Sequence, residues 1–206
     1  VARTDNYLKQ AAQAKAYFLT YDQEALIRKL NLAHDEDYLY PVLFSQTYRL
    51  SRKTGDLARQ GRRGWEDANT HGEVMTLLDL ICDSREDRFV SGKWKDMAQF
   101  GHAFHQNLLE ERDPLAERCQ ERPEVFRRWC EALGGKSVPT GDIAYSIEVF
   151  DGLPLMIQLW FGDEDFPASL RLLWDENALM YLKYETMYFA REVLLSRLKR
   201  EMEESA

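Results

Sequence analysis

The sequence predicts an α+β protein in which an N-terminal hairpin and a C-terminal three-stranded meander form an antiparallel sheet that packs with several helices. Three observations predict this class. A hairpin pattern covers residues 39–59, a meander pattern covers residues 143–175, and helical periodicity dominates the remainder. We find no repeat, low-complexity tract or flexible linker, and the length of 206 residues is suitable for a single domain over residues 1–206.

The first two elements are predicted to be helices. Apolar residues recur at helical spacing between Tyr7 and Leu19. Thr20 and Gln23 match the pattern of a capping box, which predicts a second helix that continues to Leu30.

The next element is predicted to be a hairpin, because apolar residues alternate with polar ones on both sides of the turn Thr54-Gly55-Asp56. The hairpin and the residues after it are basic. Six cations face the lone acid Asp56: Arg49, Arg52, Lys53, Arg59, Arg62 and Arg63.

Helices are predicted again in the middle of the chain. Residues 72–81 have the apolar spacing of a core helix, a turn follows at 91–94, and another helix is predicted over 100–110. Asp113-Pro114 is a helix start, with Asp as the N-cap, and Pro123 begins a helix that ends at Gly134-Gly135.

The meander is the clearest strand pattern. Residues 143–150 alternate between two faces, Asp151-Gly152 is a tight-turn pair, and the apolar run 153–161 is typical of a buried return strand. After the polar turn 162–165, residues 170–174 form the third strand. A long helix over 178–203 ends the prediction, with Met187, Ala190, Leu194 and Leu198 as its buried stripe.

Composition places the chain among globular, soluble proteins. Hydrophobic residues make up 45% and charged residues 30%, with a formal net charge of −8. This negative charge argues against general nucleic-acid binding or an anionic membrane surface as the partner. Three cysteines without a C-x-x-C spacing, and the lack of an apolar leader or membrane span, predict a cytoplasmic location.

The turn motif G-D-x-[DE]-F-P at 162–167, followed by a strand and L-x-D at 173–175, resembles an uncharacterised prokaryotic family, domain of unknown function 3786. The resemblance extends to the Thr54-Gly55-Asp56 turn, the helix 74–81, the 91–94 turn and Leu153-Pro154-Leu155. It implies a cytoplasmic protein of anaerobic or metabolically unusual microbes, sometimes encoded near or joined to iron–sulfur or corrinoid proteins. The family carries no established activity, and this chain has no cysteine cluster for an iron–sulfur centre.

The acidic turn is the first candidate site. Asp163, Glu164 and Asp165 could meet Asp151 and Asp175 if two turns of the meander lie together, and would then bind a hard cation or raise one carboxyl pKa for acid/base chemistry. The alternative, which we favour, is that these acids cap turns and end strands.

His102 and His105 are candidates for metal ligands, because their spacing places both imidazoles on one helix face. Two ligands do not define a site, so local hydrogen bonding is the favoured interpretation. Cys130 beside Arg127 and Arg128 is interpreted as a small buried residue rather than a nucleophile.

Arg62 and Arg63, within the basic segment 49–63, could hold an anion, phosphate or RNA, with Trp65 as a stacking surface. A solvated hairpin edge, on which charge discourages edge-to-edge pairing, is the favoured alternative.

The function that the sequence favours is a non-catalytic binding or accessory module that contacts a partner protein or a cofactor. Two alternatives stay open, a small metal-dependent enzyme that uses the acidic turn and a phosphate- or RNA-binding protein that uses the basic segment. No cofactor, catalytic residue or oligomeric state is assigned. The aromatic residues available for a partner or a core are Trp160, Phe161, Phe166, Trp174, Tyr181, Tyr184 and Tyr188.

Overall fold

The computed structural model describes residues 2–101 and 113–205, which form two compact units. The first unit contains the residues up to 89 together with 179–193, and the second contains 90–178 together with those from 194 onwards. Compactness does not measure independent folding, so the single domain over 1–206 stays a prediction. The α+β class is confirmed, with six α-helices and two antiparallel sheets in the described residues.

Three helices of the first unit come from its N-terminal segment. They are α1 (Ala2–Phe18), α2 (Gln23–Leu30) and α3 (His71–Asp83). The predicted capping box is wrong, because Asp22 is the N-cap of α2 and its carboxylate accepts a hydrogen bond from the Ala25 amide at 3.1 Å. The Thr20 hydroxyl instead donates to the Tyr17 carbonyl, at the end of α1.

The sheet of the first unit is antiparallel and larger than the predicted hairpin. Its path runs β1-β2-β4-β5-β6, and β3 pairs with β4 beside this path. The predicted hairpin is β4–β5, in which Leu50 pairs with Leu57 and Tyr48 with Arg59. The strands are β1 (Ala33–His34), β2 (Tyr38–Tyr40), β3 (Val42–Leu43), β4 (Gln46–Ser51), β5 (Leu57–Gly61) and β6 (Gly64–Asp67).

The second unit contains the predicted meander within a five-stranded sheet of order β7-β11-β10-β9-β8. Asp151 and Gly152 have φ values of 48° and 81°, the left-handed backbone that a two-residue hairpin turn requires. The two outer strands were not predicted from the sequence. The strands are β7 (Trp94–Lys95), β8 (Lys136–Ser137), β9 (Ile143–Phe150), β10 (Leu153–Trp160) and β11 (Ser169–Asp175).

Two helices of the second unit begin at the predicted prolines, α4 (Pro114–Glu121) and α5 (Pro123–Ala132). The Asp113 carboxylate caps α4 by accepting hydrogen bonds from the Leu115 and Ala116 amides. Met97–Phe100 forms a 3-10 helix. Of the helix predicted over 100–110, only residues 100 and 101 lie within the described part of the chain.

The last helix, α6, covers Tyr184–Glu204, so it begins six residues later than predicted. Residues 178–180 form a 3-10 turn before it. The predicted stripe of α6 is fully buried at Met187, Ala190, Leu194 and Leu198. None of the helices in the described part of the chain is both long and apolar enough to cross a membrane.

Candidate ligand-binding cavity

The first unit contains a cavity of about 430 Å³ between α1, α3 and the start of α6. Asp79 and Asp83 are four residues apart on α3, so both lie on the face of this helix that lines the cavity. The lining residues are Gln10, Gln13, Ala14, Tyr17, Met75, Leu78, Asp79, Cys82, Asp83, Lys183, Glu185, Thr186 and Phe189.

Asp79 is the buried acid of this cavity, since its side chain is only 5% exposed. The amide of Lys183 donates to Asp79 Oδ2 at 2.8 Å, and Nζ of the same lysine lies 3.0 Å from Asp79 Oδ1. The second contact is an ion pair whose angle falls outside hydrogen-bond geometry. Lys183 also donates from its ammonium group to Asp83 Oδ2. The ammonium group of Lys183 therefore forms ion pairs with both Asp79 and Asp83.

Two tyrosines extend this network, and one of them, Tyr17, lines the cavity. The Tyr21 hydroxyl donates to Asp83 Oδ1 at 2.6 Å, and the hydroxyl oxygens of Tyr17 and Tyr21 are 2.9 Å apart. The two rings meet edge to face, with centroids 5.0 Å apart. The network fixes the Asp83 carboxylate and leaves the Tyr17 ring about half exposed beside the cavity.

The pKa values of Cys82, Tyr21 and Lys183 are all raised, so each of these groups keeps its proton at neutral pH. Burial raises the pKa of Cys82 to about 12, and the nearby Asp83 carboxylate adds to this effect, so the thiol stays neutral. Burial and the hydrogen bond to Asp83 raise the pKa of Tyr21. Burial alone would lower the pKa of Lys183, but its contacts with Asp83 and Asp79 outweigh burial and raise it, so the amine stays protonated.

The cavity is acidic and apolar at the same time. Of the residues that the structure describes, three carboxylates line it, on Asp79, Asp83 and Glu185, together with one ammonium group, on Lys183. The remaining wall is largely aliphatic and aromatic, from Ala14, Met75, Leu78 and Phe189. This combination can hold a small organic cation, because carboxylates and aromatic faces both attract positive charge.

Sequence reasoning missed this site. The available signal was Asp79 within the apolar run 74–81, where a charged side chain on a core helix needs a partner. That partner, Lys183, lies 104 residues away, and helical periodicity contains no information about such a contact.

The acidic turn that the sequence singled out lies in the second unit. Asp163 Oδ1 accepts hydrogen bonds from the Phe166 amide at 2.8 Å and the Asp165 amide at 2.9 Å, and these bonds hold the pKa of Asp163 below its usual value. Asp163 thus caps the turn, as in the favoured sequence interpretation. The binding role of Asp163, Glu164 and Asp165 stays a prediction.

The expectation that Asp175 joins these acids is wrong. Trp160 pairs with Ser169 and Leu155 pairs with Trp174, so the 162–168 turn and Asp175 lie at opposite ends of the β10–β11 pair. Asp175 is 1% exposed, and it accepts hydrogen bonds from the Gly92 amide at 2.8 Å, the Ser91 amide and the Ser91 hydroxyl. This carboxylate fastens the predicted 91–94 turn to the end of β11.

His102 and His105 lie outside the described residues. Within the described ranges 2–101 and 113–205, no three His, Cys, Asp or Glu side chains are arranged to hold a metal ion. Cys130 is buried, and burial raises the pKa of its thiol, consistent with a packing role.

Three of the six cations of the basic segment have acidic partners. Arg52 pairs with Glu24 at 2.6 Å, Lys53 with Asp37 at 2.6 Å, and Arg59 with Glu73 at 3.1 Å. The Arg49 guanidinium lies 5.0 Å from the Tyr38 ring centroid and 4.9 Å from that of Trp65. Arg62 and Arg63 are exposed in the β5–β6 turn, and their anion-binding role stays a prediction.

These features define an α+β protein of two compact units with an acidic cavity in the first. The model of the family described as domain of unknown function (DUF3786) matches residues 22–197, and the chain belongs to this family. No curated protein and no solved structure matches the chain. The matched residues include Asp79, Asp83 and Lys183, whereas α1 precedes the match.

Proposed function

We propose that this protein is a non-catalytic binding module whose ligand is a small organic cation held in the cavity of the first unit. The observation that carries the proposal is the buried carboxylate Asp79 beside Asp83 in a cavity of about 430 Å³. Cavities for small ligands in proteins typically have this size, with apolar walls and a few fixed polar groups.

The charge balance favours a cation over an anion. The ammonium group of Lys183 is shared by Asp79 and Asp83, and Glu185 adds a third carboxylate at the cavity. A ligand amine would supply the positive charge that the cavity lacks. The rings of Tyr17 and Phe189 offer aromatic surface for its carbon chain.

The protonation states favour binding over catalysis. A general acid or base works best with a pKa near the operating pH. The pKa of Cys82 is about 12, and those of Tyr21 and Lys183 are raised, so each of these groups would keep its proton at neutral pH. They are suited to fixed hydrogen bonds and charges rather than to proton transfer.

A cytoplasmic location is part of the proposal. It is supported by three buried cysteines, Cys82, Cys119 and Cys130, which are all free thiols. The link to iron–sulfur or corrinoid metabolism stays a prediction from the family resemblance, and so do the two alternative functions. Ion pairs of Arg52, Lys53 and Arg59 weaken the phosphate or RNA alternative, because paired cations attract an anion less.

The test is thermal unfolding and calorimetric titration with putrescine, spermidine and choline, beside citrate and phosphate as anionic probes. A ligand at one hundred times its Kd stabilises the folded state by about 2.7 kcal/mol. For a chain of this size, that raises Tm by roughly 5–10 °C. We expect such a shift with at least one amine and none with the anions.

The matched variants are Ala14→Phe, which fills the cavity from α1, and Ala12→Phe, which places the same ring on an exposed position of α1. We expect the first to abolish amine binding while the protein stays folded, and the second to bind as the wild type does. The proposal fails if no amine raises Tm, or if both variants bind equally well.

A further inference from the structure

A second recessed surface lies in the second unit, between α4 and the turn 162–168. We propose that this surface docks a basic segment of a partner protein that also carries apolar side chains. We call it the acidic groove. It has a volume of about 1050 Å³ and is lined by Glu117, Gln120, Glu121 and residues 162–168.

The charge of the acidic groove is of one sign. Within the described part of the chain, its lining has five carboxylates and no lysine, arginine or histidine. Among the residues that the structure describes, none of these five forms an ion pair, in contrast to the paired cations of the basic segment. The five are Glu117, Glu121, Asp163, Glu164 and Asp165. Cations on a partner would therefore meet carboxylates that no cation of the described residues pairs with.

The groove also presents apolar surface. Phe166 is 71% exposed and lines the groove beside Pro167, and Phe161 nearby is 41% exposed. An aromatic ring that is mostly in water gains free energy when a partner covers it. A guanidinium group can stack on the same ring, so arginine would satisfy both the charge and the aromatic face.

The turn that carries Phe166 is held in one conformation. The Asp163 amide donates to the Phe166 carbonyl at 2.9 Å, in addition to the two hydrogen bonds that Asp163 Oδ1 accepts. The Gly162 amide donates to Gln120 of α4. A Cβ at Gly162 would lie 2.6 Å from the Ala168 nitrogen, so the backbone here is packed against itself. A preorganised surface loses little entropy on binding.

The occupant follows from how these groups are spaced. The carboxylates are distributed along both walls, and no three in the described residues are gathered for one metal ion. Carboxylates on two walls, together with an exposed aromatic ring, complement a segment that carries several cations and an apolar residue. An extended or helical chain rich in Arg or Lys has this chemistry.

The test is selection of random 12-residue peptides displayed on phage against the whole protein, followed by titration of the selected peptides by fluorescence anisotropy. We expect the enriched peptides to carry several Arg or Lys residues and at least one aromatic or aliphatic residue. We expect their Kd to rise at least tenfold between 0.05 and 0.5 M salt, because salt screens exposed charges.

Two pairs of variants locate the binding. Binding should weaken at least tenfold in the double variant Glu117→Gln with Glu121→Gln. It should weaken at least tenfold in the single variant Phe166→Ala as well. The matched controls are Glu36→Gln with Glu86→Gln, which removes two exposed charges from the first unit, and Phe89→Ala, which removes a ring that is 60% exposed. The controls should bind as the wild type does.

Any of three results would overturn the proposal. The first is that the enriched peptides lack basic residues, and the second is that the groove variants bind as tightly as their controls. The third is that no peptide is enriched. Binding of Mg²⁺ or Ca²⁺ that is lost in the glutamate variant, without peptide binding, would identify the groove as an ion site instead.

Discussion

Asp175 shows how one residue can match a family motif and still have a structural role. It ends the L-x-D motif, yet its carboxylate is buried and accepts hydrogen bonds from Ser91, Gly92 and Asn177. Removing it would leave part-buried amides without their acceptor, and an unsatisfied group costs up to about 1–3 kcal/mol when it is fully buried.

We therefore expect Asp175→Ala to lower the free energy of unfolding by about 2–4 kcal/mol in urea titrations. Asp165→Ala, at an exposed position of the acidic turn, serves as the control and should change it by less than about 0.5 kcal/mol. Equal effects of the two substitutions would contradict the structural role of Asp175.

The Asp83 carboxylate, which lines the cavity, makes the stability of the folded protein depend on pH in the acid range. Burial alone would raise the pKa of Asp83, but the hydrogen bonds from Lys183 and Tyr21 outweigh it and lower the pKa in the folded protein. The unfolded value is about 3.9. A lowered folded pKa adds stability that is fully present above that value and is lost as the pH falls through the folded pKa.

We expect the wild type to lose more stability between pH 4 and pH 2 than Asp83→Asn, which has no carboxylate to protonate. Urea unfolding at a series of pH values measures this difference. Parallel curves for the two proteins would mean that Asp83 has the same pKa in the folded and unfolded states.

At the level of elements, helix boundaries depend on which side chain reaches the first free amides. Both Thr20 and Asp22 are good capping residues, and the sequence pattern selected Thr20 because Gln23 follows three residues later. In the structure the Asp22 carboxylate accepts a hydrogen bond from the Ala25 amide. The Thr20 hydroxyl instead donates to the Tyr17 carbonyl at the end of α1. The choice depends on where α1 ends, which periodicity places only to within a few residues.

We expect Asp22→Ala to destabilise the protein by about 1 kcal/mol, the usual cost of losing an N-cap, and Thr20→Ala to cost clearly less. Chemical denaturation of the two variants gives the comparison. A larger loss in Thr20→Ala would restore the capping box that the sequence predicted.

At the level of the whole molecule, each unit is assembled from two separate segments, and α6 begins in the first unit and ends in the second. The prediction of a single domain requires that the two units unfold together. Tryptophan fluorescence separates them, because Trp65 is the only tryptophan in the first unit and four lie in the second: Trp94, Trp129, Trp160 and Trp174.

A Trp65→Phe background leaves only emission from the second unit. Adding Leu77→Ala, at a fully buried position of α3 in the first unit, should cost about 2–5 kcal/mol. If the chain is one domain, the denaturation midpoint of the second-unit emission falls with it. An unchanged midpoint would establish two independent domains.

The sequence by itself determined the α+β class, the β4–β5 hairpin, the meander and the buried stripe of α6, because each depends on local periodicity or on residues that accept an unusual backbone conformation. It also contains the turn motif at 162–167 by which the chain resembles its family. It left out the short outer strands β7 and β8, whose two residues are too few to show alternation. The tertiary structure alone decided the site. Asp79 meets Lys183 across 104 residues, and Asp175 lies at the far end of a strand pair from Asp163. The contact of Asp79 with Lys183 follows from how elements pack, and no local pattern in the sequence encodes it. The separation of Asp175 from Asp163 follows from the pairing of β10 with β11.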